Sequence, residues 1–172
     1  MKRWVTTLLL LSATEQVHSS EALSVAIVPA KSTASGQIIA TALNRPQPFY
    51  VVVSNSSKGP AAIWEYWNSW GYQSISFEVT LPDGKSLLLS RREENFTRNF
   101  PSSFFVETGE SQVFPIELDT RWKNQKALSG ACDKQVKLRA MFHIESSSDA
   151  TASQVWSGNA RSKLYDVTLS CA

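Results

Sequence analysis

Histidine and cysteine are scarce in this chain, two of each in 172 residues, and that scarcity removes most metal and nucleophile chemistry at the outset. There is no CxxC, no histidine cluster at zinc-ligand spacing, no Asp-x-Asp-x-Asp calcium loop and no Gly-x-Ser-x-Gly elbow. Charge of one sign never accumulates. Arg91-Arg92 is the densest basic spot, and Glu93-Glu94 follow at once. Phosphate binding needs a clustered basic face, so nucleic acid is not an expected partner, and the Arg91–Glu94 stretch reads as a solvated loop. No apolar run approaches the roughly 20 residues of a membrane-spanning helix. Internal repeats are absent as well.

The amino terminus carries an address. Lys2 and Arg3 precede an apolar stretch from Trp4 to Leu11, and a polar segment then ends in Val17-His18-Ser19, whose small side chains suit a signal-peptidase site. Residues 1–19 are therefore read as a signal peptide and 20–172 as one exported domain, periplasmic or extracellular, without a membrane span. Cleavage takes two cations and one anion with it, lowering the formal charge from +2 to +1. A chain of this size buries roughly two-thirds of its unfolded surface as a single domain.

Both cysteines, Cys132 and Cys171, lie in the exported part, where a disulfide persists, and they are expected to pair with each other. Cys132 precedes a strand at Val136–Glu145 and Cys171 ends one at Lys163–Ser170, so antiparallel pairing of the two would bring the sulfurs together. A redox or metal-binding thiol pair is the alternative, and neither a CxxC nor a histidine cluster supports it. Neither cysteine lies near the cleavage point, as lipid attachment would require.

Strand signals dominate. Val136, Leu138, Ala140, Phe142 and Ile144 alternate with mostly polar neighbours, as do Ile75, Phe77, Val79 and Leu81 within Ser74–Leu81, and period two means half-buried strands. Pro82-Asp83-Gly84-Lys85 turns the latter into Ser86–Ser90, a β-hairpin. Further strands are expected at Leu23–Val28, at Phe49–Ser54, apolar on both faces and hence central, and at Gln112–Leu118 after the Glu107–Glu110 glycine turn. Ile38–Leu43 fits strand or short helix. Arg91–Ser103 and Asp119–Lys134 are long connections, and Ser146–Ser153 reads as a flexible tip. The turn spacing predicts an all-β chain, seven to nine antiparallel strands in two packed sheets.

The order of Val53-Ser54-Asn55-Ser56-Ser57-Lys58-Gly59-Pro60 after a strand, Val106-Glu107-Thr108-Gly109-Glu110-Ser111 before another, and Val155-Trp156-Ser157-Gly158 before the last resembles that of uncharacterised secreted bacterial proteins with an immunoglobulin-like or fibronectin-III-like domain. The resemblance implies an immunoglobulin-like β-sandwich, although the cysteines do not flank a strand tryptophan as in antibody domains. It implies no activity, because function must be argued from a site.

The one local anomaly is Ile63–Tyr72, which packs Trp64, Trp67 and Trp70 with Tyr66 and Tyr72 into ten residues. Exposed indoles stack on sugar rings, so Trp67, Trp70 and Tyr72, with Asn68 and Glu65 supplying hydrogen bonds, form a candidate carbohydrate- or peptide-binding platform. The competing reading is a tryptophan plug folded over the end of the core, with Trp64 facing inward, and a contact for a partner protein is a third. Trp122 and Trp156 read as core or rim residues. Asn55-Ser56-Ser57 and Asn95-Phe96-Thr97 match the glycosylation sequon, and the Trp64, Trp67, Trp70 spacing matches a tryptophan-mannosylation pattern; both matter only in a eukaryotic secretory pathway.

Catalytic residues do not assemble from the sequence. His143 is the only histidine after Ser19, on the polar face of its strand, without a nucleophile motif beside it. The expectation is a non-enzymatic binding or adhesion domain of the cell envelope, without cofactor or metal, recognising polysaccharide through the aromatic segment. The alternative is a protein-interaction module that docks an envelope protein through an edge strand or the 91–103 loop, with Phe96, Phe100, Phe104 and Phe105 as anchors.

Overall fold

Burial along the chain follows the alternation of residue type. In the longest strand, Gln135–Ile144, the alternating side chains Val136, Leu138, Ala140, Phe142 and Ile144 are buried while Gln135, Lys137 and His143 are exposed. The structure, a computed structural model, describes residues 22–34, 36–40 and 47–171. The signal segment lies outside the described residues, as do residues 41–43 of the Ile38–Leu43 stretch.

Twelve strands are described: β1 (Leu23–Val28), β2 (Lys31–Thr33), β3 (Gly36–Ala40), β4 (Phe49–Asn55), β5 (Ala61–Trp64), β6 (Ile75–Thr80), β7 (Ser86–Ser90), β8 (Ser103–Val106), β9 (Ser111–Ile116), β10 (Gln135–Ile144), β11 (Gly158–Arg161) and β12 (Tyr165–Ser170). Two short helices, α1 (Ser69–Tyr72) and α2 (Ser148–Ala152), and a 3-10 helix at Gln125–Ala131 complete the described elements. A small sheet has the order β1-β4-β9, a large one the order β2-β3-β12-β10-β6-β7 with β11 also on β10, and β5 pairs with β8. Nearly every pairing is antiparallel. Among the described strands β12 and β3 run parallel, in the register Val167↔Gln37 to Ser170↔Ala40, and Ala62 and Val155 form an isolated parallel bridge.

The expectation of seven to nine strands counted the long periodic ones; the additional strands are three to five residues each, too short to show a period. β4 is central, as expected, but only one of its apolar faces is covered. Phe49, Val51 and Val53 are buried, while Tyr50 is exposed and Val52 is half-buried.

The two larger sheets meet across a shared aromatic core. Phe49 on β4 lies 5.5 Å from Phe77 on β6, and Phe114 on β9 lies 6.1 Å from Phe142 on β10, measured between ring centroids. Trp122, fully buried, contacts Phe77 at 5.3 Å and donates its indole N–H to Glu117 O at 2.7 Å. Each such side chain contributes about 2–3 kcal/mol by leaving water.

Turn chemistry is as the sequence implies: Gly84 and Gly109 take φ of +84° and +82°, where a side chain would be strained. Cys132 and Cys171 are joined with Cα atoms 5.4 Å apart. The antiparallel register Gln135↔Thr168 of β10 and β12 brings them together.

Two expectations are corrected. Ser146–Ser153 is not a flexible tip: Ser147 caps α2 by accepting from Ala150 N–H at 3.1 Å, and Ala150 is buried. Nor is Arg91 part of a solvated loop, because its side chain lies in the core.

Candidate functional site

The aromatic segment is built around a single turn of helix. After β5 delivers Ile63 and Trp64 inward, Asn68 takes an extended conformation and its Oδ1 accepts from Gly71 N–H at 2.9 Å, the N-cap geometry that starts α1. Its Nδ2 donates to Ser102 O at 2.9 Å, and the residue is fully buried. Gly71 is required by contact: a Cβ there would stand 2.2 Å from Glu65 O and 3.0 Å from Trp64 O.

The 91–102 connection is fastened onto this turn. Asn99 Oδ1 accepts from Ser69 N–H at 3.0 Å while its Nδ2 donates to Ser69 Oγ at 2.9 Å, and Glu65 N–H donates to Ser102 O at 2.9 Å. Phe96 meets Tyr72 edge-on at 5.5 Å, and Phe100 meets Trp67 edge-on at 5.1 Å. The segment and the loop, separate candidates by sequence, therefore form one surface. Phe104 packs partly into the core, whereas Phe105 is 63% exposed.

The five predicted platform residues do not face one way. Trp67 is 47% exposed, and its partner Phe100 is 54% exposed. Trp70 is half-buried, packs at 6.0 Å on buried Trp64, and donates its indole N–H to Asp149 Oδ2 of α2 at 2.8 Å. Tyr72 is buried, Asn68 is engaged internally, and Glu65 is half-buried. The segment thus anchors itself on Trp64, Asn68, Trp70 and Tyr72 and presents Trp67 with Phe100 to solvent.

Beneath the segment lies a buried cation that sequence reading missed. Arg91 sets its guanidinium carbon 4.3 Å from the Trp122 ring, 5.3 Å from Tyr72 and 5.6 Å from Tyr66, and its Nη2 donates to Tyr66 Oη. Its Nε and Nη1 have no hydrogen-bond partner, and no carboxylate lies within ion-pair distance among the described residues. Aromatic faces stand in for a counter-ion. A signal was present: Leu87, Leu89 and Arg91 share the inward phase of β7 and its extension. Burial pushes the Tyr66 phenol up, against the opposing charge and hydrogen bond of Arg91. Burial also raises Tyr72, and a hydrogen bond to Glu94 adds to it. Burial would raise the Asp119 carboxyl too, but donation from Arg121 Nε at 2.7 Å and Arg121 N–H at 2.9 Å outweighs it and leaves the group below its usual value.

The sequons differ in access. Asn55 is buried and donates Nδ2 to Gly59 O and Val106 O, both at 2.8 Å, whereas Asn95 is exposed. His143 sits on the outer face of the large sheet with Nδ1 2.9 Å from Gly158 O, so that nitrogen carries the proton and the carbonyl accepts. Among the described residues no group of three or more His, Cys, Asp or Glu side chains could hold a metal ion, and no helix is long and apolar enough to cross a membrane. The chain matches no protein-family model, no curated protein and no solved structure.

Proposed function

We propose that the protein is an exported, non-enzymatic binding domain of the cell envelope, an immunoglobulin-like sandwich that contacts polysaccharide through Trp67 and Phe100. The observation that carries this reading is the exposed edge-to-face pair itself, two large rings 5.1 Å apart on a turn whose other aromatic residues are buried or half-buried against the protein. An indole held rigidly at the surface loses little entropy when a sugar ring stacks on it. The disulfide supports the oxidising compartment, and two sheets sharing one core support the sandwich.

The test is retention on insoluble neutral polysaccharides, cellulose and β-1,3-glucan among them. Wild type should be retained and a Trp67→Ala, Phe100→Ala variant should wash through; equal retention of the two, or none for wild type, removes the reading.

A second reading is favoured by Phe105, which stands on β8 opposite Ala62 with nothing large beside it in that register. Phe100 and Phe105 then serve as apolar anchors for an envelope protein. Co-purification from envelope extracts that is lost in a Phe100→Ser, Phe105→Ser variant would select it.

A further inference from the structure

The outer faces of the two larger sheets differ in chemistry. The small sheet shows solvent Val28, Tyr50, Val113 and Pro115 beside a cross-strand row of serines, Ser24, Ser54 and Ser111, and its outward strand positions carry no charged side chain. The large sheet carries two adjoining depressions of about 330 Å³ and about 690 Å³ that share Leu88 and Met141. Their floor is made by the outward positions of four neighbouring strands. Registers Ser90↔Ser76, Ser76↔Met141 and Met141↔Arg161 set one row across β7, β6, β10 and β11, and Leu88↔Glu78 and Glu78↔Arg139 set the next. With strands about 4.8 Å apart, a four-strand row is about 14 Å wide.

Charge on this face is unevenly balanced. Lys137 pairs with Asp166 at 2.9 Å, and Arg139 pairs with Glu78 at 3.5 Å. Lys123 in the first depression and Arg161 in the second have no carboxylate partner among the described residues, and both are exposed. Between them lie Ser76, Ser90, Gln73 and Asn159, side chains that donate and accept hydrogen bonds, and the apolar surfaces of Leu88 and Met141. Unpaired cations at both ends of a hydroxyl- and amide-lined floor with apolar patches match a chain that carries spaced carboxylates, hydroxyls and flat C–H faces. The position is a sheet face, not an edge, so main-chain pairing with a peptide strand is not what it offers.

We infer that the outer face of β6, β7, β10 and β11 is a second binding surface, for an acidic polysaccharide whose carboxylates meet Lys123 and Arg161. This rests on the polysaccharide reading above and adds to it the charge class of the ligand and a separate place for it.

The test is affinity electrophoresis of the disulfide-intact protein in gels holding polygalacturonate, a neutral glucan, or poly-glutamate. Polygalacturonate should retard wild type, with the effect weakening as salt is raised. A Lys123→Ser, Arg161→Ser variant should bind it about tenfold more weakly, given two charge contacts of modest strength each. The same variant should keep the wild-type circular dichroism, since both side chains are exposed, and should keep any neutral-glucan binding.

Polygalacturonate retardation unchanged in that variant overturns the inference. So does equal retardation by poly-glutamate, which marks a general anion surface. Retardation by neutral glucan alone, lost in Trp67→Ala, Phe100→Ala, leaves the proposed function standing and removes this second surface. Failure of both polysaccharides to retard wild type removes both readings.

Discussion

Replacing Asn68 with alanine separates a structural turn from a mobile one. The substitution takes away the acceptor of the α1 cap, worth about 1 kcal/mol. It also removes the bond from Nδ2 to Ser102 O, worth about 1 kcal/mol net. Ser102 O keeps its second donor, Glu65 N–H, so the acceptor side is not orphaned, but Gly71 N–H is. Vacating a fully buried site adds about 1 kcal/mol for the space left. The total, about 3 kcal/mol, corresponds to a fall in Tm of about 6–12 °C for a domain of this length. Asn68→Ser retains a cap acceptor without the reach to Ser102 and should lose about half as much. Thermal melts followed by near-ultraviolet circular dichroism, which reports the packed indoles, measure both. Alanine and serine variants melting within about 1 °C of wild type would refute the claim that this residue holds the segment down. Equal losses would refute the capping share of it.

Gly71→Ala should cost about 3 kcal/mol or more, since the new methyl meets the Glu65 carbonyl at 2.2 Å and backbone cannot step aside cheaply. Gly130→Ala, with open space around it, is the matched control, and urea midpoints that fall equally for both would end the argument. Removing the Cys132–Cys171 link, which closes a separation of 39 residues, should cost about 4 kcal/mol on the chain-entropy account. A reduced or Cys132→Ala, Cys171→Ala protein that unfolds within about 1 kcal/mol of the oxidised one would contradict it. The phenols of half-buried Tyr66 and buried Tyr72 are raised above the usual value of 10.0 by desolvation, so the stability they contribute is full below about pH 10 and is lost as pH climbs through their folded values. Phenolate absorbance should therefore rise later in the native protein than in urea, and coincident curves would exclude raised values for both.

Period-two patterning was enough to locate the long strands. Leu23–Val28 and the hairpin at Asp83-Gly84 are found where residue type places them, because one buried face per strand leaves a regular trace in the sequence. The cysteine pair was legible by count alone. Arg91 was not: the rings that shelter it come from Tyr66, Tyr72 and Trp122, on other elements of the fold, and next to Arg92, Glu93 and Glu94 it has the composition of a solvated stretch. α2 was obscured likewise, since its serines and alanines read as a loop until Ser147 is seen to cap it. The aromatic segment was recognised as unusual, but its division into an inward anchor and an outward pair depends on Asn68, Asp149 and Asn99, whose partners lie 30 or more residues distant.

The parallel seam between β3 and β12 has a kinetic meaning. β12 lies inside the large sheet, with β10 on one side and β3 on the other, so β2 and β3 have no seat in that sheet until residues around Ser170 have been synthesised. Joining strands more than a hundred positions apart carries a loop-closure cost that local hairpins escape, and such topologies fold slowly. The chain is therefore a late finisher: the hairpin of β6 and β7 can form while translation continues, but the large sheet is sealed only by its last strand, and loss of a few residues there would open it through the middle rather than trim its edge.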